Sequence, residues 1–478
     1  MRLFLSAICP LLIMLPIGCA WLPESSKRAE LMPVPALRET LASLQKESPV
    51  TDAWPTLNWW QVFQIPQLDA LVETAVTDSP DLKIVAARLR QAQTLVDAQA
   101  AALYPTIDAK VSFTAERFSA NSTQAKLAGE NFRQILFNPL VLRYHLDLWG
   151  QDEAALQAAI GRAYAVETEL SDARLLLSVA VVKAYFDLTT ASEQLKTAEH
   201  LVAAREHQLK LAQVRLDNGL IDRAPVLNAR VAVNDARQKM ATLTAAITVQ
   251  KNVLAVLAGK GSDWAQKIVM ERGLLPQQMT LPKALPLHLL RHRPDVQAAR
   301  LRVEAAAQEI KVAKTAFYPD VNLVAFSGLH SVSVSDVLLQ GSSLAYAVGP
   351  SVEFPIFEGG RLRAQLGYRE AAYDEAVELY NQHLLRAIAE VADAVAHWQE
   401  LDIRLQQQQM TLASALENRR LAKVLYREGL RDRSDLLQAD ADEDTQRLRL
   451  IALESAFLKA ATQLFKALGG GYVNTMIE

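Results

Sequence analysis

Cysteine is nearly absent. The chain has 478 residues and only two cysteines, Cys9 and Cys19. A disulfide framework is therefore excluded, and the fold must hold by packing and assembly. A surplus of positive charge is missing too: 50 Lys and Arg against 53 Asp and Glu leave a net charge of −3. That excludes the cationic field a nucleic-acid partner needs, and the scattered Lys and Arg read as solvated helix faces. With only 18 glycines in such a length, alanine and leucine dominate, as long packed helices require. The 8 histidines lie dispersed without metal-ligand spacing, so each reads as a surface or core residue. No glycine-rich phosphate loop, nucleophile elbow or metal motif occurs. No cofactor and no catalytic residue are expected, and the chain reads as a protein that is not an enzyme. Beyond the N-terminus, no stretch is expected to have the apolar length of a transmembrane helix.

What is present begins with an address. Arg2 precedes an apolar run from Leu3 to Ile17, too short to span a bilayer but suited to a secretory signal. It ends in Leu15-Pro16-Ile17-Gly18-Cys19. This resembles a bacterial lipobox, although Pro16 displaces the leucine one position from its usual place. Residues 1–18 are thus expected to be a lipoprotein signal peptide and Cys19 the acylated residue. Ala20 follows the cysteine, which by analogy favours an outer membrane. From residue 19 to 66, prolines at 23, 33, 35, 49 and 55 forbid a long helix, and the segment reads as an extended strap. Trp54, Trp59 and Trp60 within it fit either a lipid interface or a place tucked between helices.

The remainder says nearly the same thing twice. Pro80 opens PDLKIVAARLRQAQ and Pro294 opens PDVQAARLRVEAAAQ; the breaks Tyr104-Pro105 and Tyr318-Pro319 set an offset of 319 − 105 = 214. Further on, Asp217–Asp222 (DNGLID) is answered by Glu428–Asp432 (EGLRD), where the offset is 429 − 219 = 210. Two copies at so long a period mean pseudo-twofold duplication, not a solenoid. The first repeat is placed at 67–270 and the second at 271–478.

Each copy carries two strand signals. In Thr106–Phe118, Ile107, Ala109, Val111, Phe113 and Ala115 alternate with Asp108, Lys110, Ser112, Thr114 and Glu116. Leu142, Tyr144, Leu146 and Leu148 alternate with Arg143, His145 and Asp147, and the second copy repeats the pattern in Val321–Leu329 and Tyr346–Ile356. A barrel wall between lipid and a wet lumen needs this dyad period, and half-buried soluble strands share it. Four strands cannot close a barrel, which needs about eight at minimum. An unclosed sheet in lipid exposes unpaired backbone groups at several kcal/mol each. If the strands lie in a membrane, several chains must pool them.

Each copy then carries a helical hairpin. Val181, Leu188, Leu195, Val202, Leu209 and Leu216 fall seven apart, with Ala184, Ala191, Ala198 and Ala212 three further on and Arg205 interrupting. Large residues on one seam and small ones on the next are coiled-coil packing with close backbones. The partner carries Leu243, Ile247, Leu254 and Leu257, with Gln250 in the row; the second copy has Leu384, Ile388, Val391, Val395 and Trp398, then Leu450, Phe457, Ala461, Leu464 and Leu468. Each ascending helix reaches roughly 100 Å at 1.5 Å per residue, far longer than a compact domain needs.

Taken in order, the lipobox, the PD-opened helices, the Tyr-Pro breaks, the strand ends LDLWG and FPIFEGGR, the Gly-Leu hairpin tips and the terminal ALGGGY resemble the outer-membrane efflux duct family, the TolC-like proteins. The resemblance runs from Cys19 almost to Tyr472, within the lipoprotein branch of NodT-type and multidrug or fusaric-acid efflux subunits. It implies an α+β membrane protein: a homotrimer whose 3 × 4 strands close a twelve-stranded outer-membrane β-barrel above a periplasmic α-helical coiled-coil tunnel. It implies a passive conduit for drugs or other small toxic compounds, energised by an inner-membrane efflux pump reached through a periplasmic membrane-fusion adaptor, with outer-membrane lipid around it and no nucleic acid. Glu358–Arg361 (EGGR) reads as a strand-to-helix turn. Asn218, Gly219 and Leu220, with Gly429 and Leu430, are the implied adaptor-docking tips, or simple turns. Tyr426, Arg431 and Asp435 match the family's periplasmic gate; Gln438 stands where a further acid is usual. Leu216 and Ile221 replace the Tyr and Arg in the first copy, so only the second hairpin is expected to move. Two other classes remain as alternatives: a lipid-anchored periplasmic adaptor, which usually carries one hairpin in a β-rich module, and a structural coiled-coil protein.

Overall fold

The computed structural model describes residues 28–33, 50–51, 54–117, 119, 121, 131–268, 281–282, 292–332 and 341–473. The signal segment, Cys19 and most of the strap lie outside the described residues. In chain order the elements are β1 (Val50–Thr51), α1 (Pro66–Asp78), α2 (Pro80–Ala102), β2 (Thr106–Arg117) and β3 (Asn131–His145). Then come α3 (Gln151–Asp217), α4 (Ala224–Leu257), α5 (Ser262–Ala265), β4 (Leu281–Pro282) and α6 (Pro294–Thr315). Strands β5 (Asp320–Ser331) and β6 (Leu344–Glu353) and helices α7 (Arg361–Arg427) and α8 (Arg433–Ala467) complete the order. The duplication reaches the lengths: α3 and α7 each have 67 residues.

Two compact bodies each draw on both repeats. The described residues of the first lie within Arg28–Leu31, Leu89–Val166 and Ala299–Tyr380. Its centre is a four-stranded sheet in the order β2-β3-β5-β6, antiparallel throughout. The pairings Ile107↔Leu142, Val111↔Phe137 and Phe113↔Ile135 put these side chains on one face, because directly opposed residues share a face. Ala325↔Val348 and Val321↔Val352 extend that face across β5 and β6. Ile107, Val111, Phe113, Tyr346 and Val348 are all exposed on it. The register slips by one residue at Asn138-Pro139 against both neighbours. This bulge sits where a proline has no N–H for the ladder. In the same body, Ala305 of α6 lies 3.2 Å from where a Cβ on Gly161 of α3 would be, so two backbones meet at a small-residue contact.

The second body comprises Met32–Arg88, Glu167–Ala298 and Asn381–Glu478. Its core forms where Trp59, Trp60 and Phe63 meet Val181, Tyr185 and Leu188 of α3. A second cluster joins Val391, Val395 and Trp398 of α7 to Phe457, Ala461 and Leu464 of α8. The heptad rows are buried where these clusters form, at Val181 and Leu188 on α3, while Leu195, Val202, Leu209 and Leu216 toward its tip are half-buried. The strap tryptophans are tucked among helices: Trp59 and Trp60 are buried, and Trp54 stacks on His292 at 4.6 Å between ring centroids. One expectation needs correction. By length and composition α3 and α4 are both apolar enough to cross a membrane; most of the apolar stretch of α3 is buried within the chain and little of that of α4. For α3 the physical reason is that its apolar row serves the core.

One ionic knot had no sequence signal. Arg293, only 5% exposed, forks onto Asp295 at 3.0 and 2.7 Å and reaches Glu390 at 3.0 Å and the Ala467 carbonyl at 3.1 Å. Burial pushes the Asp295 carboxyl up, but the Arg293 bonds override it and hold it below its ordinary value. Beside it, burial and then the charge of Asp295 raise the Asp172 carboxyl to about 6.

Candidate functional site

The tips of the two hairpins are built alike. At the end of α3, Gly219 N donates to Leu216 O at 2.9 Å and Leu220 N to Arg215 O at 2.8 Å. At the end of α7, Gly429 N donates to Tyr426 O at 3.1 Å and Leu430 N to Leu425 O at 2.9 Å. These are Schellman caps, which need a left-handed residue at the turn; Gly219 and Gly429 both have φ +71°. Asn218 Nδ2 adds a bond to the Val214 carbonyl at 2.7 Å. Each cap leaves a leucine in solvent, Leu220 at 73% and Leu430 at 72% exposure. Each tip thus presents an exposed apolar knob among polar residues.

Past each tip an aspartate restarts a helix. Asp222 Oδ1 accepts from Ala224 N at 3.0 Å, and Asp432 Oδ1 from Ser434 N at 2.6 Å and Asp435 N at 3.3 Å. Asp432 is the N-cap of α8 and satisfies donors the helix cannot, whereas Asp222 stands one residue before Arg223, the N-cap of α4. Asp432 does a second job that sequence reading missed: its Oδ2 accepts from Arg215 Nη2 at 2.9 Å, tying the first tip to the second. That bond holds the Asp432 carboxyl below its ordinary value despite some burial. The DRSD run signals a cap, but nothing local signals a partner 217 residues away.

Of the expected gate residues, two come together. Arg431 Nη1 lies 3.6 Å from Asp435 Oδ2, with both side chains largely exposed. Tyr426 is 39% exposed, and its side chain makes no hydrogen bond to another described residue. Gln438 accepts from Arg205 Nη1 at 3.2 Å and Gln208 Nε2 at 3.3 Å, a second tie between hairpins. Higher up, Glu443 is only 5% exposed; it takes Arg447 at 2.5 Å and Arg419 at 2.9 Å. Arg419 also donates to Asp440 at 2.6 Å, joining α7 to α8.

The strand ends meet the helices at two other junctions. Gly359 and Gly360 have φ +56° and +89°, so EGGR is a turn that delivers β6 into α7. At the end of β3, His145 Nδ1 lies 2.5 Å from Asp152 Oδ2 and its Nε2 3.2 Å from Asp320 Oδ1. Asp147 uses both oxygens to cap α3, accepting from Gln151 N at 2.5 Å and Glu153 N at 3.0 Å. His145, Asp147 and Asp152 thus stand close enough to share an ion, a grouping that the spacing of the histidines did not foretell. Its carboxylates are already engaged in an ion pair and a helix cap.

The arrangement is matched by known proteins. The description "Outer membrane efflux protein" fits residues 71–260 and again 285–470, at offsets of 285 − 71 = 214 and 470 − 260 = 210. The chain is 29% identical over 431 residues to the multidrug resistance outer membrane protein MdtP of Escherichia coli O6:H1, covering 88% of each. It is 34% identical over 322 residues to the fusaric acid resistance protein FusA of Burkholderia cepacia, covering 66% of this chain and 60% of that one. Among solved structures, the outer membrane protein VceC of Vibrio cholerae superposes with a TM-score of 0.79 at 33% identity, over 87% of this chain and all of that one. On these grounds the chain belongs to the outer membrane efflux protein family.

Proposed function

We propose that three copies of this chain form a passive conduit that carries drugs or other small toxic compounds out across the outer membrane. One observation carries this reading: an open antiparallel sheet with an exposed apolar face continues through turns into two helices of 67 residues. An open sheet edge is not tolerated in lipid, so 3 × 4 strands closing a twelve-stranded barrel satisfies every edge. The long helices then line a periplasmic tunnel. Residues 1–18 are removed as a signal peptide, Cys19 carries the lipid, and residues 19–66 strap the body formed by repeats 67–270 and 271–478. The relatives named for multidrug and fusaric acid resistance suggest the class of cargo, and cargo choice falls to the pump. A conduit needs no catalytic residues.

The exposed knobs of Leu220 and Leu430, presented by Asn218, Gly219 and Gly429, are the docking surface for a periplasmic membrane-fusion adaptor, which couples the conduit to an inner-membrane efflux pump. Tyr426, Arg431 and Asp435 close the tunnel at rest, with the second hairpin moving against the first. A bulky Gly429→Trp tests the docking role, since it tolerates neither the left-handed turn nor close approach. Efflux is expected to stop while folded trimer stays at the wild-type level. Normal efflux in that variant would reduce the glycine to a turn residue.

A further inference from the structure

The duplication contains a template for contacts the single chain cannot make. Residues of β2 map onto β5 by +214, and residues of β3 onto β6 by +210. Below the bulge the mapping holds in the observed ladders; above it the offset of β3 on β6 becomes 211, as Lys110↔Asn138 against Val324↔Gly349 shows. Thr106↔Arg143 in the first copy becomes Asp320↔Glu353 in the second, and Ile107↔Leu142 becomes Val321↔Val352; all four pairings are present. Between the copies, β3 pairs with β5 through Arg143↔Val324, Leu142↔Ala325 and Val141↔Phe326. The same mapping turns these into Glu353↔Lys110, Val352↔Val111 and Ser351↔Ser112. Those residues lie on β6 and β2, the two free edges of the sheet.

We infer that β6 of one copy pairs with β2 of a second copy in this register, placing Glu353 directly opposite Lys110. The inference rests on the trimer reading and adds the register and the residues that fix it. Its chemistry fits. Val352 and Val111 share the exposed apolar face, while Lys110 and Glu353 fall together on the other face with opposite charges, a stabilising cross-strand pair. Both are exposed, and neither side chain forms an ion pair with another described residue, although Asp320 stands directly opposite Glu353 in the ladder. The helices below support a second copy as the occupant. On α3, Ala154, Ala158 and Ala165 are buried on the helix that meets α6. Their counterparts on α7 at +210, Ala364, Tyr368 and Glu375, are exposed, as is Leu95 on α2. At these three positions the second copy leaves open what the first covers, while Leu362 and Leu366 of α7 are buried against α6.

Two cysteines directly opposed across strands fall within disulfide reach. The full-length Lys110→Cys/Glu353→Cys variant should therefore oxidise into covalently linked dimers and trimers on denaturing gels of outer membranes, and neither single variant should. The shifted pair Lys110→Cys/Ser351→Cys should link far less. As a readout independent of thiols, Lys110→Glu should lower the temperature at which the trimer dissociates in detergent, and Lys110→Glu/Glu353→Lys should restore it. If the shifted pair links better, the register is overturned while the trimer stands. If neither pair links although native gels show trimers, edge pairing of β6 with β2 is overturned. If native gels show monomers of folded wild-type protein, the trimer reading itself fails.

Discussion

The Arg215–Asp432 bond should set how readily the second hairpin leaves the first. It joins the tips at 2.9 Å with side chains 31% and 53% exposed, so each bond contributes about 0.2–1 kcal/mol. Three copies opening together lose about 1.5 kcal/mol, close to tenfold in the open population, since 1.4 kcal/mol is a factor of ten. Asp432 is also the N-cap of α8, a role worth about 0.5–2 kcal/mol, so Asp432→Ala would confuse two effects. Arg215→Ala removes the bond alone, and Asp432→Asn keeps a capping oxygen while deleting the charge. Both should raise open probability in planar bilayers by about three- to tenfold, and together no further than either alone. The sign with pH follows from the depressed Asp432 carboxyl: the bond is intact above the usual value of 3.8 and lost as pH falls through the lower folded value. Wild type and Arg215→Ala should therefore differ at pH 7 and converge in strong acid. Unchanged open probability for Arg215→Ala in intact trimers would refute the reasoning.

Two further outcomes follow from the fold and the N-terminus. The raised Asp172 carboxyl, near 6 and facing Asp295, Arg293, Lys466 and Glu390, binds its proton more tightly in the native state, so its contribution to stability falls as pH rises from about 4 to about 6. Asp172→Asn should raise stability at pH 7.5 by about 2 kcal/mol after discounting for partial solvent access, read as a higher thermal midpoint, and leave the midpoint unchanged near pH 4. Cys19→Ala should abolish palmitate incorporation while trimers still form; labelling that survives the substitution would place the lipid elsewhere.

Local and periodic features were legible from the sequence. The seven-residue row from Val181 to Leu216 foretold α3, and the matching glycines at 219 and 429 foretold both tips. The start of β3 was not legible. The bulge at Asn138-Pro139 reverses the alternation, so Ile135 and Phe137 share a face with Leu140, Leu142 and Tyr144 despite the change from odd to even positions. A strict period of two finds only the half below the bulge. Contacts between distant residues left no trace either. Arg215 with Asp432 depends on which hairpin lies beside which, and Arg293 with Glu390 on how the start of α6 meets α7, and no window along the chain records either. Of the expected gate, the Arg431–Asp435 pair is one helical turn and was readable; the half-exposed setting of Tyr426 was not.

The central claim is a conduit held shut by the second hairpin, and single-channel conductance in planar bilayers tests it most directly. Purified wild-type trimers should insert and conduct in small, stable steps, and the double variant Tyr426→Phe/Arg431→Ser should conduct in much larger ones and admit large antibiotics in cells. Wild-type conductance in correctly assembled double-variant trimers would contradict the gate, and trimers that insert without conducting at all would contradict the conduit.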